Sequence, residues 1–154
     1  ARHAKLIEEV RAAGASIRLI GDGDVAGIIH TTDPEETGID LYMGIGGAPE
    51  GVLAAAALRC TGGQMQGRLI LDTPEKEERA ARMGVKDPKK AYTMEEMASG
   101  DVLFAATGVT DGNMLKGVKF GREGITTHTV AMRSSSGTIR WIEGLHVVGE
   151  KFGA

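Results

Sequence analysis

Residues 40–51, Asp-Leu-Tyr-Met-Gly-Ile-Gly-Gly-Ala-Pro-Glu-Gly, run an apolar strand into a glycine cluster and then into a proline-led helix, which leaves a chain few folding options. Ile39 to Met43 reads as the strand. Gly44, Gly46 and Gly47 let the backbone turn sharply and approach a ligand closely. Pro49 suits the first helical turn, where its missing N–H is no loss, and the alanine-rich run from Val52 to Arg59 continues the helix. A helix start offers unpaired N–H groups and the positive end of the dipole, a seat for phosphate. Glu50 places a carboxylate at the same spot, so an anion seat and a metal-ligand candidate stand side by side. That pairing points to phosphate chemistry with a divalent cation. An ordinary reading fits as well: Glu in a first helical turn complements the dipole, and glycine-rich strand-to-helix turns occur in many α/β domains.

A second stretch has the same build. Ser16 to Ile20 reads as a short strand that empties into Gly21-Asp22-Gly23-Asp24, followed by a short helix from Val25 to Ile29. In open α/β sheets, ligands sit beyond the carboxyl ends of strands. Carboxylates there accept hydrogen bonds from sugar hydroxyls or bind a metal. The competing reading is structural, with Asp22 starting a turn and Asp24 capping the helix. A third strand terminus, Gly108-Val-Thr-Asp-Gly112 after the apolar run Asp101 to Thr107, could face the same cleft or be turn chemistry alone.

The remaining elements follow from periodicity. His3 to Ala13 is an amphipathic helix stopped by Gly14. Thr31 to Gly38 reads as a polar loop, Met65 to Leu71 as a strand and Glu75 to Met83 as a charged, solvated helix. Thr93 and Glu96 stand at capping-box spacing around a short helix. Gly117 to Phe120, Ile125 to Arg133 and Thr138 to Val148 read as antiparallel strands, with Ser134 to Gly137 as a hairpin loop. His128 and His146 lie within strands and lack a second ligand at metal spacing. Trp141 is expected in the core or at a subunit contact. These elements predict one domain, residues 1–154, of the α/β class. Its sheet is mixed, with α/β units first, an antiparallel meander last and helices packed on the faces.

Composition narrows the partners. Net charge is −3 with no basic stripe, which argues against nucleic acid. No apolar run reaches the length of a membrane span. The single cysteine, Cys60, rules out an internal disulfide, fits a reducing, cytoplasmic compartment and is expected to be a small buried apolar residue. The chain opens at Ala1-Arg2-His3, without Met or a charged-then-apolar leader, directly before a helix. A piece of a longer protein is expected. There is no Walker phosphate loop and no G-x-S-x-G elbow, and the glycines of residues 44–47 lack the spacing of a dinucleotide loop.

Several strings together carry a resemblance: Asp22-Gly-Asp-Val25, Leu41-Tyr-Met-Gly-Ile-Gly-Gly-Ala-Pro-Glu-Gly-Val-Leu-Ala-Ala-Ala56, Gly62-Gly-Gln-Met-Gln-Gly67, Leu103-Phe-Ala-Ala-Thr-Gly-Val-Thr-Asp-Gly112, and Met132-Arg-Ser-Ser135 with Gly137-Thr-Ile-Arg140. The chain resembles the C-terminal half of the class II fructose-1,6-bisphosphatases, the GlpX type. The resemblance implies the C-terminal domain of the lithium-sensitive sugar-phosphatase fold. It also implies hydrolysis of the 1-phosphate of fructose 1,6-bisphosphate with Mn²⁺ or Mg²⁺ in gluconeogenesis, and in some members action on sedoheptulose 1,7-bisphosphate. Carried over by motif, Arg2 resembles the arginine that meets the substrate's phosphate, and Asp22, Gly23 and Asp24 the segment that holds the sugar. Gly47 resembles a substrate contact and Glu50 a metal ligand. The family's N-terminal half, with its Asp-Pro-Ile/Leu-Asp-Gly-Thr metal motif, has no counterpart here, so this polypeptide alone is expected to be inactive or nearly so. Two departures are Asn113, where relatives carry an acidic residue or serine, and Ala1, where a proline is expected. A homo-oligomer is expected, with the three-strand C-terminal region as a candidate interface. The alternatives are a non-catalytic sugar-phosphate-binding or regulatory domain, and a phosphatase of the same superfamily acting on inositol phosphates. The string at residues 40–51 argues against the latter.

Overall fold

The computed structural model describes residues 2–147. Its framework is helix α4 (Ala48–Thr61), and the reason lies in its composition. Ala54, Ala55 and Ala57 are fully buried, with Leu58 and Cys60 almost so. A helix that presents small side chains on several faces lets neighbours approach on more than one side. On one side α4 meets α2 (Asp24–Ile29) and α6 (Met94–Met97). There Ile28, Ala54 and Leu58 form a core to which Tyr42, Met65 and Met94 are added. On the other side Ala57 and Cys60 pack with Phe104, Leu115, Val130 and Met132. Cys60 is therefore buried as expected. Its thiol donates to the Val102 carbonyl at 3.8 Å, and burial pushes its pKa up.

The second core is the underside of a four-stranded antiparallel sheet. Strand β5 (Ile125–Arg133) is central. It pairs on one side with β3 (Leu103–Thr107) and β4 (Lys119–Phe120), and on the other along its whole length with β6 (Thr138–His146). Phe104 pairs with Met132 and Ala106 with Val130, so the period-2 pattern puts this set on the α4 side. A two-stranded antiparallel ribbon, β1 (Gln66–Arg68) with β2 (Ala91–Thr93), and helices α1 (Ala4–Ala12), α3 (Pro34–Thr37) and α5 (Pro74–Arg82) complete the described elements. The class is thus mixed α and β, with helices against a sheet. The antiparallel meander is as the sequence predicts, and Val148, the last residue of its expected third strand, lies outside the described residues.

The parallel α/β units differ. Residues 16–20 and 39–43 are extended, but neither pairs as a strand among the described residues. Ile20 and Tyr42 pack on Gly27 of α2, where a Cβ would stand 2.9 Å and 3.2 Å from them. The alternate residues Leu19, Leu41 and Met43 are exposed. The strand pattern is present, but no strand lies beside it. The strand expected over residues 65–71 shortens to three residues. Residues 31–38 hold a 3₁₀ turn (His30–Thr32) and α3 rather than a plain loop, because Asp33 accepts from the Glu36 N–H at 3.2 Å and Pro34 starts the helix.

The β5–β6 hairpin is clamped to the start of β3. The Asp101 carboxylate accepts from Arg133 Nη2 at 2.5 Å, Ser134 Oγ at 3.2 Å and Ser135 N–H at 3.3 Å, and Ser134 Oγ accepts from the Val102 N–H at 2.8 Å. The Arg133 hydrogen bond first, then those of the serines, hold Asp101 well below the usual carboxylate range. A depressed folded-state pKa contributes stability above the unfolded value of about 4, and that contribution is lost as pH falls through the folded value. Asp101→Asn is therefore expected to lower Tm at pH 7. Its gap to the parent should close progressively as thermal scans are taken below pH 4, and a gap independent of pH would contradict the assignment.

Candidate functional site

Two glycine-rich turns meet. Gly23 ends the first in the left-handed region, φ +75°, and serves as N-cap of α2 without any side-chain cap bond. Asp24 is the first residue inside the helix, so its carboxylate is not used in capping, the ordinary role that the sequence left open. It reaches the second turn instead: a Cβ at Gly46 would stand 3.0 Å from Asp24 Oδ2. Alanine at position 46 would press on the Asp24 carboxylate, which would have to give by a few tenths of an ångström. Tyr42 lies beside Asp24, and burial, then that carboxylate, push the phenol up to about 12 while Arg2 pulls it down. Arg2 accordingly stands near the same pair. Asp22 is exposed on the preceding turn.

The second turn leads into α4 with extended Gly47 (φ −73°, ψ 150°) as N-cap. Glu50, in the first turn of α4, folds back so far over Gly47 that a Cβ on Gly47 would collide with its Oε2 and lie 3.1 Å from its Cδ. The loop is pinned from outside by His3, whose Nε2 accepts the Ile45 N–H at 2.9 Å. Arg2, Asp24, Gly47 and Glu50 thus gather around one loop, residues 44–47, at the N-terminus of a fourteen-residue helix. His3 and Tyr42 belong to the same cluster, although sequence reasoning did not single them out. The available signals were a lone polar aromatic in the strand before the glycines and a ring beside Arg2.

The cluster presents polar and charged groups. It offers a cation, open helix N–H groups and two carboxylates along an exposed rim. A divalent ion needs several oxygen ligands, and among the described residues no group of three or more His, Cys, Asp or Glu side chains could hold one. By itself this cluster does not fit a metal centre. The two strand histidines serve structure: His128 Nδ1 accepts the Lys116 N–H at 3.1 Å and its ring stacks on Trp141, and His146 bonds Thr127 Oγ1 at 3.0 Å. Thr110 and Asp111 do not extend the cluster by any bond, since Asp111 is turned to the Gly117 N–H at 2.8 Å. An open cleft between Leu58, Met94, Glu95, Asp101 and Ser135 has two carboxylates, of which Asp101 is held by the Arg133 network. No helix among the described residues is long and apolar enough to cross a membrane.

Comparison with known proteins adds to this geometry. Residues 1–146 match the family model described as bacterial fructose-1,6-bisphosphatase, glpX-encoded. Among curated proteins, the chain is 45% identical to a D-fructose 1,6-bisphosphatase class 2/sedoheptulose 1,7-bisphosphatase of Synechococcus sp. (strain JA-3-3Ab), over 95% of this chain and 46% of that protein. A protein of the same name from Trichodesmium erythraeum (strain IMS101) is also 45% identical, over 97% of this chain and 47% of its own length. The chain spans about half the length of the curated relatives it matches.

Proposed function

Because the chain belongs to the glpX-encoded bacterial fructose-1,6-bisphosphatase family, we propose that it forms the sugar-phosphate-recognising part of a metal-dependent fructose-1,6-bisphosphate 1-phosphatase. The relatives' names extend the candidate substrates to sedoheptulose 1,7-bisphosphate. The observation that carries the reading is the convergence of Arg2, Asp24, Gly47 and Glu50 on one glycine loop. Arg2 meets a substrate phosphate, the turn at residues 22–24 holds sugar hydroxyls, and Gly47 lets the substrate close on the backbone. Glu50 supplies one carboxylate to an Mn²⁺ or Mg²⁺ centre whose remaining ligands come from polypeptide outside these 154 residues. The setting is gluconeogenesis in the cytoplasm, and the working form is a homo-oligomer.

The test is phosphate release from fructose 1,6-bisphosphate with Mn²⁺. We expect none above background from the 154-residue chain. Release is expected when the same residues stand in a polypeptide of full family length. Turnover by the short chain comparable to that of the long one would overturn the division of the site. Absence of release from both, with folding verified, would overturn the phosphatase reading and favour a sugar-phosphate-binding domain.

A further inference from the structure

His3 is the N-cap of α1, yet its side chain makes no capping bond. Ser, Thr, Asp or Asn would serve the helix better at that position, so the helix does not account for the residue. The His3 carbonyl accepts the Ile7 N–H at 2.9 Å and starts α1. The ring turns away and reaches 42 residues along the chain, where Nε2 accepts the Ile45 N–H at 2.9 Å. An accepting Nε2 leaves the proton of the neutral ring on Nδ1. Ile45 stands between Gly44 and Gly46, where the backbone has its greatest freedom. The extended residues 39–43 before it pair with no strand among the described residues, so no ladder fixes the loop from that side. On the other side α4 is anchored by Ala54, Ala55, Ala57 and Leu58, all fully or almost fully buried. The His3 bond acts between these two limits.

The bond is exposed. Broken, it releases the Ile45 N–H to water and leaves no buried donor unsatisfied, so the fold loses little. What the bond fixes is position. Arg2 directly precedes His3, and Ile45 lies two residues before Gly47. Helix α1 buries no residue, so its packing does not set where Arg2 stands. We propose that His3 is a positioning residue for recognition of the sugar bisphosphate: through the Ile45 N–H it sets the distance between Arg2 and the Gly47 backbone. The inference rests on the proposed function, which puts both groups on the substrate. Glu50 rides on the anchored helix and not on the loop. Loss of the bond therefore weakens substrate binding and spares the chemical step.

The test compares His3→Phe, which keeps a ring and removes the acceptor, with His3→Gln, whose amide oxygen takes the place of Nε2. Both are made in a phosphatase of full family length that contains these residues, assayed for phosphate release from fructose 1,6-bisphosphate with Mn²⁺. His3→Phe is expected to raise KM about 3- to 10-fold, the worth of one hydrogen bond. Its kcat should stay within about twofold of the parent, the signature of lost binding common to ground and transition states. His3→Gln should bring KM back to within about twofold of the parent, because the acceptor is restored. Hydrogen exchange should quicken over residues 44–47 in His3→Phe and stay unchanged over residues 54–60. An unchanged KM in His3→Phe, an equal loss in both variants, or a fall in kcat at constant KM would overturn the inference and leave the phosphatase reading intact. A parent that releases no phosphate overturns that reading instead. Titration of the same proteins with fructose 1,6-bisphosphate then decides: weaker binding by His3→Phe than by the parent and His3→Gln supports the inference, and equal or absent binding overturns it. Should His3→Phe fail to fold, His3→Ala replaces it with the same expectations.

Discussion

In a phosphatase of full family length that contains these residues, Glu50→Gln is expected to cut kcat for fructose 1,6-bisphosphate hydrolysis at least about 100-fold, the upper end of what loss of even an outer-shell metal partner costs. The substitution keeps size and shape while removing the charge. The Glu50 side chain is exposed at the rim and packs in neither core cluster, so Tm should stay within about 2 °C. Gly47→Ala gives a companion result. Its Cβ would collide with the Glu50 carboxylate, the movable end of a flexible side chain rather than backbone. The carboxylate is pushed aside but not lost, so activity falls while excess Mn²⁺ recovers part of it. Excess Mn²⁺ should do little for Glu50→Gln. Activity within twofold of the parent in Glu50→Gln would remove Glu50 from the metal site.

The contrast between these two positions shows where sequence reading reaches and where it stops. The glycine loop, the proline-led helix and the Thr93–Glu96 capping box were legible because each depends on residues a few positions apart. The box forms both bonds, Thr93 N–H to Glu96 at 3.0 Å and Glu96 N–H to Thr93 at 3.3 Å. The β5–β6 hairpin was legible for the same reason. That the carboxylate of Glu50 folds over Gly47 was not, because a side-chain direction is set by the space around it. Nor were the long-range contacts, His3 to the Ile45 N–H and Tyr42 to Asp24. Residues 16–20 and 39–43 carry a true strand pattern, with Ile20 and Tyr42 on α2 and Leu19, Leu41 and Met43 facing away. A strand, however, is defined by the neighbour that completes its hydrogen bonds. Periodicity reports which face a residue shows, and it is silent on whether a partner strand lies alongside.

The same dependence on space makes Gly124→Ala the expected costliest small substitution in the sheet. Gly124 is buried at the end of the β4–β5 turn, which the Gly121 N–H closes onto the Gly124 carbonyl at 2.9 Å. Its φ is +144°, a conformation that L side chains rarely adopt, and an added Cβ would run into the His146 carbonyl oxygen and stand 3.2 Å from Val147 Cα. Backbone strain of this kind costs about 1–3 kcal/mol, and overpacking against fixed backbone adds about 1–3 kcal/mol. At about 2–4 °C per kcal/mol for a chain of this size, Tm should fall by roughly 5–20 °C. Gly137→Ala, in the β5–β6 hairpin, isolates the first contribution: its φ is +58° and nothing lies within 4 Å of the added Cβ. Only the left-handed cost of about 1–2 kcal/mol applies there, a fall of a few degrees. Thermal denaturation of the two variants side by side checks the difference. Because the overpacking comes from His146, the last residue of β6, and from Val147 after it, a Gly124→Ala variant as stable as Gly137→Ala would mean that the end of β6 does not close against the β4–β5 turn.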